Sequence, residues 1–435
     1  MARSKDYQPL DIYLNNRQVG QLRKATSGEV AFQYHDAWLA LDKALPVSLS
    51  LPLREARYIG APVLAVFDNL LPDNIDIRKH IAARMGVGKT DAYSLLSAVG
   101  RDCIGALQFL PEGDEPQSLD TIDGKELTDN EIADILANLK SAPLGLGRDK
   151  GFRISIAGAQ EKTALTKWKG QWLLPHGTTP TTHIIKPPIE QVAGGIELNH
   201  SVENEYFCMT LCRNFGLPVA KCEIATFGEK KAFVVERFDR RIEDTRILRL
   251  PQEDMCQALS VAPELKYQND GGPKMEDILN FLRGSDTPLP DQAVFLKAYL
   301  LFWLLGATDG HAKNFSIAMR PEGRFALTPL YDILTVEPTY AARMIERKNY
   351  RLAMSVGTNR HYHMHEIMPR HFIQTAGQAG IGEDDAKTIC REVAESAEDA
   401  LKQTLDGLPD DFPAELTEPT AEGYMNRLRL MDHLD

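Results

Sequence analysis

Cysteine is scarce in this sequence, and its few copies lie far apart. The six cysteines are spread from Cys103 to Cys390, and no two form a Cys-x-x-Cys pair. This spacing predicts neither a zinc ribbon nor a disulfide framework. We expect reduced and mostly buried thiols, as in a cytosolic protein.

A long hydrophobic run is missing as well. The N-terminal residues lack the apolar core of a signal peptide. The most apolar stretch, residues 295–305, contains Lys297 and is too short to span a bilayer. The sequence therefore predicts a soluble, cytoplasmic protein with no membrane partner.

An excess of positive charge is also absent. The chain has 49 Lys and Arg against 61 Asp and Glu, a net charge of −12. This balance argues against a broad nucleic-acid-binding surface, but it leaves room for a local basic patch or a DNA-binding partner. A length of 435 residues with 43% hydrophobic and 25% charged residues suits two or three globular domains.

The most informative stretch is the polar segment 306–316. It contains Asp309, and Asn314 follows five residues later; Asp332 stands a further eighteen residues on. Protein kinases use this order for a catalytic-loop Asp and two metal-binding residues. One carboxylate accepts the proton of the substrate hydroxyl, while an amide oxygen and a second carboxylate hold Mg²⁺.

The surroundings of this segment strengthen the interpretation. The spacing alone is weak, because Asp11 and Asn16 stand the same distance apart, and a polar turn after a buried helix is the plain alternative. However, a strongly apolar predicted helix leads into the segment, and two predicted short strands lead from it to Asp332. This order is the layout of a kinase C-lobe.

Hydrophobic periodicity predicts an α+β fold with the bilobal plan of a protein kinase. Domains are expected at 1–145 (an extra N-terminal α/β subdomain), 146–250 (a mixed-sheet N-lobe) and 251–435 (an all-helical C-lobe). Strands are predicted at 10–34, 103–110, 152–156, 162–167, 171–174, 183–186, 219–226 and 232–237. Helices are predicted at 74–85, 128–140 (with a capping box at Thr128), 199–215, 253–260, 275–283, 291–306, 383–405 and 413–434.

The predicted N-lobe supplies candidates for binding a nucleotide. The loop 155–162 has small residues that let backbone N–H groups approach phosphate oxygens, although Gly158 is its only glycine. Lys186 ends an apolar strand, where it would pair with phosphates or simply extend into solvent. Glu205 or Glu203 on the following helix would pair with Lys186, and the residue types leave both open.

Long stretches of this sequence resemble the HipA family, the kinase toxins of bacterial HipA–HipB toxin–antitoxin pairs. The matching stretches cover essentially the whole chain: 68–73, 97–102, 152–165, 181–186, 203–206, 235–241, 250–257, 306–316 and 331–333.

The resemblance implies an ATP- and Mg²⁺-dependent serine/threonine protein kinase with a HipA fold. Asp309 would be the catalytic base, and Asn314 and Asp332 the metal ligands. The other nucleotide-binding residues implied are Ala157, Gly158, Ala159, Gln160, Glu161, Lys162, Lys186, Glu236, Arg237, Phe238, His311, Ala312, Lys313, Asn314, Tyr331 and Asp332. In this set Glu236, Arg237 and Phe238 form the hinge that contacts adenine through its backbone.

Ser155 would be an autophosphorylation site. A phosphate there adds close to two negative charges beside a site for ATP phosphates, so repulsion should expel the loop and silence the enzyme. The plain alternative is a serine that hydrogen-bonds at a strand end.

The sequence departs from ordinary protein kinases at two motifs. Neither His-Arg-Asp nor Asp-Phe-Gly occurs, and Thr308-Asp-Gly and Tyr331-Asp-Ile stand in their places. The loop is in this respect closer to phosphoinositide kinases, but the long HipA-like stretches argue against a lipid substrate.

The resemblance also implies partners. They are a HipB-like helix-turn-helix antitoxin dimer, operator DNA bound mainly through that antitoxin, and a translation-related protein substrate such as an aminoacyl-tRNA synthetase. The main rival hypothesis is a kinase-shaped co-repressor that works through its DNA-binding partner. A small-molecule phosphotransferase is a third hypothesis and would need a closed pocket.

Two further clusters have plainer interpretations. Arg343, Arg347, Lys348 and Arg351 form a basic run that could touch phosphates, but a solvated loop is favoured. Three histidines at alternate positions, His361, His363 and His365, together with His371, would share a strand face and could bind a metal. A polar loop is the favoured interpretation there.

Overall fold

The computed structural model describes residues 7–146, 154–158, 160–189 and 200–433. Ala159, which is among the predicted nucleotide-binding residues, lies outside these ranges. The chain separates into two compact units. The first contains Met1–Pro187, Ala225–Glu264 and Ile317–Arg324, and the second contains Pro188–Ile224, Leu265–Ser316 and Phe325–Asp435. The three-domain division of the sequence stays a prediction.

The strands and helices alternate in the N-terminal half, and most long helices lie in the C-terminal half. The strands are β1 Leu10–Leu14, β2 Arg17–Lys24, β3 Val30–Tyr34, β4 Tyr58–Ile59, β5 Leu107–Pro111, β6 Gly124–Leu127, β7 Thr163–Trp168, β8 Gln171–Pro175, β9 His183–Lys186, β10 Cys222–Phe227, β11 Lys230–Glu236, β12 Arg240–Ile242, β13 Ile247–Arg249, β14 Gln252–Asp254, β15 Ser316–Met319, β16 Phe325–Leu327, β17 Arg351–Val356 and β18 His361–His363. The helices are α1 Asp36–Leu39, α2 Ala61–Phe67, α3 Ile75–Met85, α4 Ala92–Val99, α5 Asp129–Ala137, α6 Ser201–Asn214, α7 Met255–Ala258, α8 Met275–Leu282, α9 Pro288–Leu305, α10 Glu337–Ala341, α11 Pro369–Gln378, α12 Glu383–Asp406 and α13 Ala414–Leu428.

The first unit is built on two sheets. One has the strand order β4-β3-β2-β1-β5, and its β1 and β5 pair antiparallel with Ile12 opposite Phe109. The other has the order β10-β11-β9-β7-β8-β6. Edge-to-face contacts join Phe32 to Phe67 at 5.6 Å and Phe67 to Phe109 at 5.4 Å between ring centroids, in the core under the first sheet.

The second unit is organised around α9. Its C-terminal half, from Leu300 to Leu305, is buried on every side, which is the pattern of a central helix. Pro288 lies in the first turn of α9. The backbone N–H groups of a first turn have no partner within the helix, so a residue without an N–H is tolerated there. Lys297, the charge within the apolar run, reaches Glu392 of α12 at 2.5 Å. Within the described residues, no helix is long and apolar enough to cross a membrane.

Several element boundaries differ from the predictions for local reasons. The predicted strand at 152–156 is irregular over its described residues 154–156, because the N–H of Ser155 donates to Asp102 O at 2.9 Å and not to a neighbouring strand of the sheet. The strand predicted from Cys103 begins at Leu107, after Gly105 with a φ of 75°. The region after Pro251 also contains strands, including the pair β17–β18.

Candidate functional site

The end of α9 delivers the chain into the predicted catalytic loop. Gly306 ends the helix with a left-handed φ of 71°, a conformation that glycine adopts without strain. A Cβ at this position would collide with the Tyr350 hydroxyl and the Glu337 carboxylate. The loop therefore leaves the helix at a point that only glycine fits.

Asp309 is exposed in the loop that follows. Its Oδ1 accepts a hydrogen bond from the hydroxyl of Tyr267 at 2.6 Å, and its backbone oxygen accepts from the N–H of His311 at 2.8 Å. Gly310 packs so tightly that a Cβ there would lie 2.7 Å from the Phe302 ring. The carboxylate thus projects from a loop whose backbone is held against the buried end of α9.

Two hydrogen bonds of the Tyr299 hydroxyl hold the predicted catalytic loop in place. Its buried hydroxyl donates to Gly310 O at 3.0 Å and accepts from the N–H of Met354 in β17 at 2.8 Å. The helix, the loop and the strand are therefore joined at one oxygen. Nothing in the periodicity of α9 marks Tyr299 for this role, because every neighbouring position is apolar as well.

The two predicted metal ligands lie side by side. Asn314 Nδ2 is 3.3 Å from Asp332 Oδ2, and Asn314 Oδ1 accepts from the N–H of His311 at 3.2 Å. Asp332 has a φ of 61°, a left-handed conformation that Asp tolerates better than most residues and that recurs at functional sites.

This pair fits a hard divalent cation. A carboxylate and an amide, both able to offer an oxygen to a metal, are adjacent, and Asn314 is only 4% exposed. The amide nitrogen is the atom that faces Asp332, and rotation of the amide would present its oxygen beside the carboxylate. Such a set is what Mg²⁺ binds, alongside substrate oxygens.

Tyr331, next to Asp332 in the chain, hydrogen-bonds to the segment that carries Asn314. Its hydroxyl donates to Lys313 O at 2.9 Å and lies 2.6 Å from Ser316 Oγ. Ala312 and Lys313 are buried. The predicted residues His311, Ala312, Lys313, Asn314, Tyr331 and Asp332 thus form one connected set with Asp309 in the second unit.

A C-terminal arginine supports the end of α9. Arg427 of α13 donates to Leu304 O through Nε at 3.1 Å and through Nη2 at 2.9 Å. It also donates to the Tyr350 hydroxyl at 3.1 Å and forms an ion pair with Glu337. These contacts satisfy a helix-end carbonyl next to the predicted catalytic loop, and no pattern in the sequence pointed to Arg427.

The predicted phosphate-covering loop lies in the first unit. Ser155 is fully buried, and its hydroxyl donates to Leu70 O at 2.7 Å. Gly158 O accepts from the N–H of Asp73 at 3.2 Å. Lys162 Nζ donates to Ala157 O at 2.8 Å, so the loop closes on itself, and Gln160 and Glu161 are half-buried beside it.

Lys186 occupies the end of a central strand of the same unit. It is 6% exposed, stands opposite Phe233 in β11, and its Nζ lies 5.9 Å from the Phe233 ring centroid. Glu203 and Glu205 are both buried on α6. The choice between them as the partner of Lys186 stays a prediction.

Arg237, in the predicted hinge, has a side chain that hydrogen-bonds within the first unit. The Arg237 side chain donates to Asp239 Oδ2 at 2.7 Å and to Thr181 Oγ1 at 2.8 Å, and its N–H donates to Thr182 O at 2.9 Å. Arg237 therefore points into the protein interior, while Glu236 and Phe238 on either side are half-buried.

Arg237 belongs to a fully buried charge cluster. Asp102 contacts Arg240 at 3.0 Å, Arg249 at 2.8 Å and Arg237 at 3.5 Å. Burial alone would raise the pKa of Asp102, but the three guanidinium groups hold it well below its usual range. The cluster joins chain segments more than a hundred residues apart, a distance at which spacing and periodicity carry no information.

The histidines 361–365 do not form the predicted polar loop. His361–His363 is strand β18, and the ring of His361 stacks on that of His371 at 3.8 Å. Pairing with β17 orders the segment. Across the described ranges, no group of three or more His, Cys, Asp and Glu side chains is arranged to hold a metal ion.

The predicted basic run lies on the surface. The basic residues Arg343, Arg347, Lys348 and Arg351 are exposed.

Comparison with known proteins covers nearly the whole chain. Residues 10–110 match the HipA N-terminal domain model, and residues 154–401 match the HipA-like C-terminal domain model. The protein Y4mE of Sinorhizobium fredii is 34% identical over 408 residues, which cover 92% of this chain and 93% of that protein.

A second relative has both a sequence and a structural match. The serine/threonine-protein kinase toxin HipA of Shewanella oneidensis is 29% identical over 80% of this chain and 78% of its own length. A solved complex of Shewanella oneidensis HipA, HipB and operator DNA contains a chain that matches with a TM-score of 0.80 at 25% identity, over 97% of this chain and 96% of that one. The fold of the present chain is therefore the HipA fold.

Proposed function

We propose, from the premise that this chain belongs to the HipA family, that it is an ATP- and Mg²⁺-dependent serine/threonine protein kinase of the toxin type. The observation that carries this proposal is the arrangement of Asp309, Asn314 and Asp332. An exposed carboxylate stands on a rigid loop, and the buried amide that follows five residues later lies 3.3 Å from a second carboxylate. The name of the Shewanella oneidensis relative supports the same activity.

Each residue has a defined part in this reaction. The Asp309 carboxylate accepts the proton of a Ser or Thr hydroxyl while that oxygen attacks the γ-phosphorus of ATP, and ADP leaves. Mg²⁺ bound at Asn314 and Asp332 would neutralise the phosphate charge. Lys186 would contact phosphates, residues 157–162 would cover the nucleotide, and the backbone of Glu236, Arg237 and Phe238 would contact the adenine. His311, Lys313 and Tyr331 would lie beside the nucleotide.

We propose that Ser155 is phosphorylated by the enzyme itself. In the structure its hydroxyl is buried and engaged with Leu70 O, so this loop must leave its place before the hydroxyl can react. A phosphate could not return to that position, because it would bring added bulk and close to two negative charges into a fully buried place where the hydroxyl bonds to a backbone carbonyl. Phosphorylation should therefore keep the loop displaced and the enzyme inactive.

The proposed partners follow from the same relative. Its solved complex contains HipB and operator DNA. We propose that the present chain is neutralised by a HipB-like helix-turn-helix antitoxin and represses its operon with it, the antitoxin dimer making most of the DNA contacts. The net charge of −12 agrees with that division of labour. The substrate would be a translation-related protein such as an aminoacyl-tRNA synthetase.

Transfer of label from ATP tests the proposal. The purified chain, first freed of phosphate on Ser155, is incubated with γ-labelled ATP and Mg²⁺, with Asp309→Ala and Ser155→Ala in parallel. We expect label on the parent and none on either variant, since one lacks the base and the other the acceptor. Asp270→Ala, which changes an exposed Asp of the same unit, is the matched control and should label like the parent.

Two outcomes contradict parts of this proposal. Labelling of Asp309→Ala at the parent's rate would show that Asp309 is not the base. A parent without label, on itself and on added protein, would favour the co-repressor function, in which the chain acts only through its DNA-binding partner.

A further inference from the structure

Tyr267 is the residue outside the predicted site that has the most direct contact with it. Its hydroxyl donates to Asp309 Oδ1 at 2.6 Å, and its ring meets the His311 ring edge-on at 4.9 Å between centroids. Among the described residues, this hydroxyl is the group that hydrogen-bonds to the Asp309 carboxylate. An exposed carboxylate without such a bond rotates freely about its side-chain torsions.

The segment that carries Tyr267 is itself anchored on both sides. Lys266 O accepts from the N–H of Ala312 in the catalytic loop at 3.3 Å. Gln268 is buried, accepts from the N–H of Ser355 in β17 at 2.8 Å and donates to its hydroxyl at 2.9 Å. Tyr267 therefore stands between two fixed neighbours, so its hydroxyl has little freedom to move.

The turn that follows has a backbone that only glycine fits. Gly271 has a φ of 96°, and a Cβ on Gly272 would collide with Leu265 O. The chain thus folds back on itself immediately after Gln268. This closure keeps the short segment 266–268 pressed against the catalytic loop.

We propose that Tyr267 is a positioning residue for phosphoryl transfer: by holding Oδ1 of Asp309, it aims Oδ2 at the hydroxyl of the substrate. This inference rests on the proposed role of Asp309 as the base. A carboxylate accepts hydrogen bonds on both oxygens, so one donated bond leaves the second oxygen available. Fixing the base removes the rotational freedom that would otherwise be lost in reaching the transition state.

The charge on the carboxylate makes this bond strong. A hydroxyl that donates to an ionised oxygen at 2.6 Å has the short geometry of a charge-assisted hydrogen bond. Replacing Tyr267 by Phe would remove only this hydroxyl and keep the ring that meets His311 beside the proposed nucleotide site. Loss of its hydroxyl should therefore affect the rate of transfer more than the binding of ATP.

The test is Tyr267→Phe, which removes the hydroxyl and keeps the ring against His311. The initial rate of label transfer, to the chain itself and to added casein, is measured against ATP concentration. We expect the maximal rate to fall about tenfold, in line with the cost of a misplaced catalytic group. The ATP concentration at half-maximal rate should stay within about twofold of the parent's value. The Tm should stay within about 2 °C of the parent's.

A further variant separates the loss of this hydroxyl from the loss of a tyrosine hydroxyl elsewhere. Tyr362→Phe removes a hydroxyl from another half-buried tyrosine of the same unit and should leave the rate unchanged.

The remaining outcomes overturn the inference. An unchanged rate in Tyr267→Phe would leave Tyr267 a structural residue while the kinase proposal stands. A higher rate would show that the hydroxyl competes with the substrate for Asp309. A parent that transfers no phosphate would overturn the kinase proposal itself, and the positioning role with it.

Discussion

Glu253 is a carboxyl group inside the first unit, 1% exposed, with one oxygen accepting from the N–H of Leu49 at 2.9 Å. Burial raises its pKa to about 8, because the charged form loses its water. In an unfolded chain the same group titrates at about 4.3. Between these two values the folded protein holds a proton that the unfolded chain releases.

The sign of the resulting pH dependence follows from that difference. The contribution of Glu253 to the free energy of unfolding is fully present below about pH 4. It falls as the pH rises towards about 8. One proton contributes about 1.4 kcal/mol per pH unit in that window. We expect Glu253→Gln, which stays neutral, to gain stability relative to the parent as the pH rises from 5 to 8.

Urea unfolding at several pH values measures this effect. Glu55→Gln changes an exposed carboxyl of the same unit and is the matched control. Parallel curves for the parent and Glu253→Gln across the window would show that Glu253 is already ionised in the folded protein.

At the scale of elements, α9 and the loop after it form the rigid part of the candidate site. The helix ends in a left-handed glycine, its Leu304 carbonyl accepts from Arg427, and Tyr299 bonds both to the loop and to β17. The loop therefore has the same conformation as long as the helix end is intact. A substitution that disturbs the helix end should therefore change the position of Asp309, because the backbone connects the two.

Gly306→Ala tests that coupling. A methyl group would collide with Tyr350 and Glu337, and an alanine is strained at a φ of 71°, so we expect a loss of about 1–3 kcal/mol in the free energy of unfolding. We also expect slower phosphate transfer, since Asp309 follows three residues later. Thermal unfolding and the labelling assay measure the two effects.

Gly377→Ala is the control for this substitution. Gly377 lies within α11, where an added Cβ meets nothing within 4 Å. Alanine there should be neutral or stabilising by up to about 1 kcal/mol. Equal behaviour of the two variants would mean that the helix end tolerates a side chain.

At the scale of the whole molecule, the two family domains share one structural unit. The match to the HipA N-terminal domain ends at residue 110, yet the first compact unit continues to Pro187 and includes Ala225–Glu264. The buried cluster explains this, because Asp102 comes from the N-terminal domain and Arg237, Arg240 and Arg249 come from the C-terminal one. Neither part can satisfy these charges alone.

Asp102→Asn should therefore destabilise the first unit strongly. Removal of the carboxylate takes one of the two acids from a cluster with three arginines, as far as the described residues show, and breaking a buried ion pair from one side typically costs about 3–5 kcal/mol. Urea unfolding measures the change. Asp134→Asn, an exposed position on α5, should change stability by less than about 0.5 kcal/mol, and a similarly small effect for Asp102 would contradict a stabilising role of the cluster.

Local patterns in the sequence predicted much of this protein correctly. The apolar run gave a helix from Pro288 to Leu305, and the Thr128 capping box is present with Glu131 at its third position. Helix α12 spans Glu383–Asp406 where 383–405 was expected. These features depend on neighbours within one or two helical turns, so the order of residue types is enough to specify them.

The partners of the site residues were decided only in the tertiary structure. Tyr267 contacts Asp309 across 42 positions, and Arg427 contacts Leu304 across 123. The side chain of Arg237 is held in the interior by Asp239 and by Asp102, which is 135 positions away, and its place at a nucleotide hinge stays a prediction. The sequence thus determined the local elements and the order of the residue types that are predicted to be catalytic. Which distant side chains orient them depends on how the chain packs, because hydrogen bonds and buried charges select partners by proximity in space.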